Sequence, residues 1–156
     1  MKCTAIFVGR TADKLYRDAI DDYVGRLTHY MPLEIIVLPE LKNARNLSRD
    51  QQKQAEGEAI LKQIQKQDTV VLLDERGRER TSSDFARWLE RKQMTAKRLV
   101  FVVGGPFGFS ADVYSRADEQ ISLSLMTFSH QMVRLFFVEQ LYRACTIIRG
   151  ESYHHE

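Results

Sequence analysis

One stretch constrains the fold more than any other: the five-residue apolar run Leu99–Val103, which stops on Gly104-Gly105-Pro106-Phe107-Gly108. An unbroken apolar run rich in β-branched residues suits a strand covered on both faces, as in a parallel sheet between helices. The glycines permit positive φ and close approach by another group, while Pro106 stiffens the turn. Open α/β sheets take ligands at the carboxyl ends of their strands, so chemistry is expected here. A tight strand-to-helix turn without a ligand is the plainer alternative.

Downstream, Ile121–Leu125 reads as a short strand and Met126–His130 as a turn. Ser129 or Thr127 can cap the helix that follows. In that helix Met132, Val133, Phe136, Phe137, Leu141, Ala144, Cys145 and Ile148 recur at three- and four-residue steps, which buries one face against the sheet, a second subunit, or both. Arg134, Glu139 and Arg143 lie off this stripe.

Upstream, Cys3–Val8 is another covered strand, closing at Gly9. Asp13 can cap a helix whose apolar residues run to Leu27, and Leu33–Leu38 is the next strand. A dinucleotide-binding unit would carry its glycine fingerprint after the first strand; Gly9 alone does not supply one. Lys42, Arg45 and Arg49 mark a mobile surface loop, and Ser48-x-x-Gln51 is a capping box for a polar helix running to about Gln67. Its charge reads as a solvated face, with RNA contact as the alternative. Thr69–Leu73 is a third inner strand, followed by the charged turn Asp74–Arg78, and Ser82 or Ser83 caps a helix that turns Phe85, Trp88 and Leu89 inward. Trp88 shares that stripe and belongs to the core rather than to a base-stacking platform. With a short helix at Ser110–Arg116, five strands alternate with five helical patterns: an α/β fold with a mainly parallel sheet flanked by helices.

At 156 residues the chain fits one domain. A net charge of +2 says little about polyanionic partners, so any RNA-binding case rests on local clusters. No stretch approaches the roughly 20 apolar residues of a membrane span, and a cytoplasmic protein without a membrane partner is expected. Cys3 and Cys145 have no metal-ligand spacing and read as buried thiols, with no metal site.

Several segments then occur in one order: MKCTAIFVG, VVLLDERG, VVGGPFGF, LSLMTFSHQMVR, EQLYRA and RGESYHH. Through them the chain resembles, over essentially its full length, the RlmH group of SPOUT-superfamily methyltransferases. The resemblance implies a SPOUT-type domain spanning 1–156 with a C-terminal trefoil knot over about 69–156, whose three loops hold S-adenosyl-L-methionine. It assigns Leu73 to the adenine pocket and Gly104, Gly105, Ser124, Leu125, Met126, Thr127, Phe128 and Ser129 to the other cofactor loops. It further implies a homodimer that methylates N3 of a pseudouridine in large-subunit (23S) ribosomal RNA, on the assembled ribosome.

Removing the N3 proton leaves an anion that needs cationic or hydrogen-bonding company. His154 is the candidate base or orienting group, Tyr153 packs on or hydrogen-bonds the target nucleotide, and Arg134 and Arg143 contact phosphate or anion. His130 is open between a site role and a local helix-end role. In a single chain the tail Tyr153–Glu156 is expected to fray; in a dimer it can cap the partner's pocket. The sequence departs from the family pattern where Ser129 replaces a proline before His130 and where His155 replaces a basic residue. Two other classes compete: a non-catalytic ribosome- or RNA-binding protein of the same fold, and a flavodoxin-like phosphate binder, which the absence of a GK[ST] ending disfavours.

Overall fold

A computed structural model describes residues 1–155. The strands are β1 (Lys2–Val8), β2 (Leu33–Leu38), β3 (Thr69–Glu79), β4 (Arg98–Val103) and β5 (Glu119–Ser122), and they form one sheet in the order β2-β1-β4-β3-β5. Every neighbouring pair is parallel. The helices are α1 (Lys14–Leu27), α2 (Arg49–Lys62), α3 (Ser82–Thr95), α4 (Ala111–Arg116) and α5 (Met132–Ile148), with a turn of 3₁₀ helix at Ala44–Asn46.

Alternation along the strands splits the core in two. Cys3, Ala5, Phe7, Leu99, Phe101 and Val103 pack with α1, α3 and α5 on one face. Ile6, Val70, Leu72, Val100 and Val102 pack with α2 and α4 on the other. Because both faces are covered, the strands read as continuous apolar runs. Trp88 is buried in the first cluster, stacks on Phe85 and donates its indole N–H to Glu119 Oε1 at 3.0 Å. Both cysteines are free and buried. Among the described residues no helix is long and apolar enough to cross a membrane.

Four boundaries differ from the sequence expectation, the first being the start of α3, where Thr81, rather than Ser82 or Ser83, caps the helix by accepting from the Asp84 amide at 3.1 Å. β5 begins and ends earlier than Ile121–Leu125, because it pairs with β3 from Glu119 and the Ser122 hydroxyl then donates to the Ser124 carbonyl at 2.8 Å, turning the chain. α2 ends at Lys62 rather than Gln67; beyond it the Asp68 carboxylate accepts from the Gln65 amide at 2.7 Å and holds a turn. β3 does not stop at Leu73 but runs to Glu79, with its register against β5 broken between Leu73 and Arg78, where the charged turn was expected.

Candidate active site

With β3 between β4 and β5, the segments that follow these three strands meet at one end of the sheet. They enclose a cavity of about 730 Å³, within the range that holds a nucleoside-sized ligand. Leu73, Gly104, Gly105, Ser124, Met126, Thr127 and Phe128 all line it, as do His130 and, from α2, Arg49 and Lys53. Leu125 and Ser129 do not line it. Leu125 projects into solvent at 81% exposure. The Ser129 hydroxyl instead accepts from the amides of Gln131 and Met132 at 3.2 and 3.3 Å, finishing the start of α5 in place of a proline.

Two glycines explain how closely these segments approach. A Cβ on Gly77 would lie 2.6 Å from the Ile121 carbonyl carbon, so only glycine lets the β3 excursion cross β5. A Cβ on Gly105 would lie 2.8 Å from Glu56 Oε1. A side chain at 105 would therefore have to displace the end of a buried glutamate of α2. Both Glu56 oxygens are buried without a hydrogen bond, and burial raises the carboxyl's pKa, opposed only by the nearby Gln52 side chain.

The cavity wall is tied by side chains. Tyr114 donates its hydroxyl to Asp74 and accepts from Arg76 Nη2 at 3.0 Å; burial and the bond to Asp74 raise the phenol's pKa. Thr127 donates to Glu75 Oε2 at 3.2 Å, joining the segment after β5 to the one after Leu73. Arg49 lies over the Phe107 ring, 5.0 Å from its centroid. The imidazole of His130 is held below its ordinary pKa by burial and then by the charge of Arg134, so it is neutral at pH 7.

Arg134 requires a correction. It was expected off the buried stripe and in contact with an anion, but it is fully buried. One terminal nitrogen donates to the Gly9 carbonyl and to Thr11 Oγ1 at 2.9 and 3.0 Å, and the other donates to the Val8 carbonyl at 2.7 Å. The guanidinium lies over Phe7, and burial lowers its pKa to about 10. It binds the first turn of α5 to the open end of β1, leaving no exposed fork for a phosphate.

The carboxyl-terminal tail is docked rather than frayed. Tyr153 donates to Glu139 Oε1 at 3.0 Å, and Arg143 grips the same oxygen through Nε and Nη2 at 3.1 and 2.6 Å. Tyr23 meets the Tyr153 hydroxyl at 3.2 Å, Tyr142 packs edge-on against the Tyr153 ring, and burial with these bonds pushes the Tyr153 phenol upward. Arg143 Nη1 lies 3.0 Å from His154 Nδ1. Arginine can only donate, so Nδ1 accepts and the imidazole proton sits on Nε2. Aromatic packing and a shared carboxylate thus hold a tail whose composition alone suggests disorder. His155 is exposed, and Glu156 lies outside the described residues.

Apart from Leu125, Ser129 and Arg134, the fold gathers the expected residues into two groups, the cavity and the Tyr153–His154–Arg143 cluster, and the second does not line the cavity of its own chain. Glu139, at the centre of that cluster, was not singled out for a role. Its four-residue spacing from Arg143 was the available signal. Glu56 carried no signal, since its burial depends on how α2 packs.

A family model described as "Predicted SPOUT methyltransferase" matches residues 1–154. The chain is 58% identical, over the full length of both proteins, to the Ribosomal RNA large subunit methyltransferase H of Phocaeicola vulgatus. It is 57% identical, again over both full lengths, to the protein of that name from Parabacteroides distasonis. With that from Christiangramia forsetii it shares 51% identity over 99% of each chain.

Proposed function

Because the chain belongs to the SPOUT methyltransferase family, we propose that it methylates large-subunit ribosomal RNA, taking the methyl group from S-adenosylmethionine and delivering it to N3 of a pseudouridine. The three-segment cavity at the carboxyl ends of β3, β4 and β5 carries this reading. Bound S-adenosylmethionine would supply an electrophilic methyl group on a cationic sulfur.

The residues present fit such a donor. Leu73, Ile121 and Leu123 give the cavity an apolar side, and the backbone at Gly104–Gly105 offers polar groups unobstructed by side chains. A cation is also compatible with the unpartnered carboxyl of Glu56 beneath Gly105. Methyl transfer from a sulfonium is an in-line displacement, so holding donor and acceptor in near-attack geometry dominates, and little covalent machinery is required.

For the acceptor, the Tyr153–His154–Arg143 cluster is the proposed group. Arg143 engages Nδ1 of His154 and so orients the imidazole. The two suit a role in orienting the base and stabilising the anion left when the N3 proton departs to water. Since the cluster does not line the cavity of its own chain, the reading includes a homodimer in which one subunit's tail faces the other's donor pocket. It also includes the trefoil knot and a cytoplasmic location, where assembled ribosomes are met.

The test is transfer of a labelled methyl group to ribosomes that lack the modification, beside isolated large subunits and naked RNA, with mass analysis of the product nucleoside. Label at pseudouridine N3 on whole ribosomes is expected. Donor binding without transfer to any of the three would favour a non-catalytic RNA-binding protein.

A further inference from the structure

Glu56 is 6% exposed, both its oxygens lack a hydrogen bond, and it takes part in no ion pair among the described residues. It does not line the cavity itself; it stands behind Gly105, which does. The two are tightly apposed: a Cβ on Gly105 would lie 2.8 and 3.0 Å from the two carboxyl oxygens.

This apposition is built into the packing of α2. Gly57, the next residue, is also buried, and a side chain there would collide with the Ser110 hydroxyl that caps α4. Two adjacent positions, one glycine on each side of the contact, thus bring a carboxyl against the glycine turn. The nearest cations on α2 are engaged elsewhere: Lys53 pairs with Asp50 at 3.7 Å, and Arg49 covers Phe107. Burial holds the pKa of Glu56 above the ordinary carboxylate value, as expected of a buried carboxyl without a counter-ion.

An uncompensated buried carboxyl is costly and persists where something offsets it. We infer that Glu56 is the electrostatic partner of the cationic donor, acting through the side-chain-free backbone of Gly105 to favour a sulfonium over the neutral thioether product. A negative charge in a poorly solvated wall lowers the free energy of a nearby cation, and no direct contact is needed. The same arrangement would favour departure of the demethylated product, which carries no charge on sulfur. Glu56 is in these terms a positioning residue for charge. The inference rests on the donor assignment proposed above.

The experiment is calorimetric titration of the full chain with S-adenosylmethionine and with S-adenosylhomocysteine, for the wild type, Glu56→Gln and Glu56→Asp. The expected result is that Glu56→Gln weakens S-adenosylmethionine about tenfold and S-adenosylhomocysteine less than twofold, while Glu56→Asp, which keeps the charge, retains most of the preference. Equal weakening of both ligands, or an unchanged ratio, would assign Glu56 to packing and overturn the inference while leaving the donor assignment standing. A Glu56→Gln chain that does not fold would overturn it too, since a carboxyl required by the fold is not held in reserve for a ligand. Wild-type protein that binds neither compound would instead remove the donor assignment, and this inference with it.

Discussion

The Tyr153 hydroxyl donates to Glu139 Oε1 at 3.0 Å, joining the tail to the middle of α5 through an oxygen that Arg143 also holds. Orientation of the tail therefore depends on one carboxylate. Glu139→Ala is expected to lower methyl transfer by at least about tenfold, because the three bonds from Arg143 and Tyr153 to its carboxylate are lost and the tail is released. Donor affinity should stay within about twofold, as Glu139 does not line the cavity. Single-turnover transfer beside calorimetric binding checks both.

Deleting residues 153–156 should have the same signature in stronger form: donor binding retained, transfer abolished. Tyr153 is held by Tyr23 of α1 and Glu139 of α5, outside the sheet, so removal of the tail leaves the sheet intact. Full transfer by the truncated chain would remove Tyr153 and His154 from the mechanism.

Arg134→Leu should destabilise the protein by about 3 kcal/mol or more, because the Val8 and Gly9 carbonyls lose their charged donor in a buried site. Arg134→Lys should fall between, having one nitrogen to replace two. Urea denaturation measures both. A neutral effect of Arg134→Leu would show that the carbonyls find other partners.

Gly105→Ala is expected to cost about 1–3 kcal/mol through collision with Glu56. Glu56→Ala in the same chain should relieve most of that cost. If the double variant is no more stable than Gly105→Ala alone, the collision is not the cause. Melting curves of the two single variants and the pair form the required cycle.

The pH dependence of stability carries a definite sign. Folding raises the Glu56 pKa, so protonation is favoured more in the native chain than in the unfolded one. Its contribution to stability is present below the unfolded carboxylate value and is lost as pH rises through the folded one. Glu56→Gln should accordingly be more stable than wild type at pH 7, by about 1–3 kcal/mol for an unsatisfied buried group, with the gap closing as pH falls toward 4. A constant gap would show that the carboxyl does not titrate in this range.

Much of the sheet was legible because both of its faces are covered: Leu99–Val103 and Cys3–Val8 could hardly be anything but inner strands, and their closing glycines marked the useful end. Boundaries set by cross-strand contacts were not legible. The early start of β5 depends on pairing with β3, and the continuation of β3 past Leu73 depends on Gly77 crossing Ile121. The same limit applies to the site. Residues contiguous with the glycine and Leu-Met-Thr turns stood out, whereas Glu56 reaches the cavity wall from a helix that is distant in sequence and polar in composition. Arg134 was misread for a similar reason: helical periodicity separates apolar from polar positions, but cannot register that the exposed carbonyls of β1 create a buried place for a guanidinium.

Gly77 sets how closely the β3 excursion packs on β5, and that excursion carries the Asp74–Arg76 segment that lines the cavity. A methyl group at position 77 would act as a wedge, prising the Asp74–Arg76 segment away from β5 and straining the hydrogen bond from Thr127 to Glu75. A position without a side chain thus fixes the spacing between the first cavity segment and its neighbouring strand.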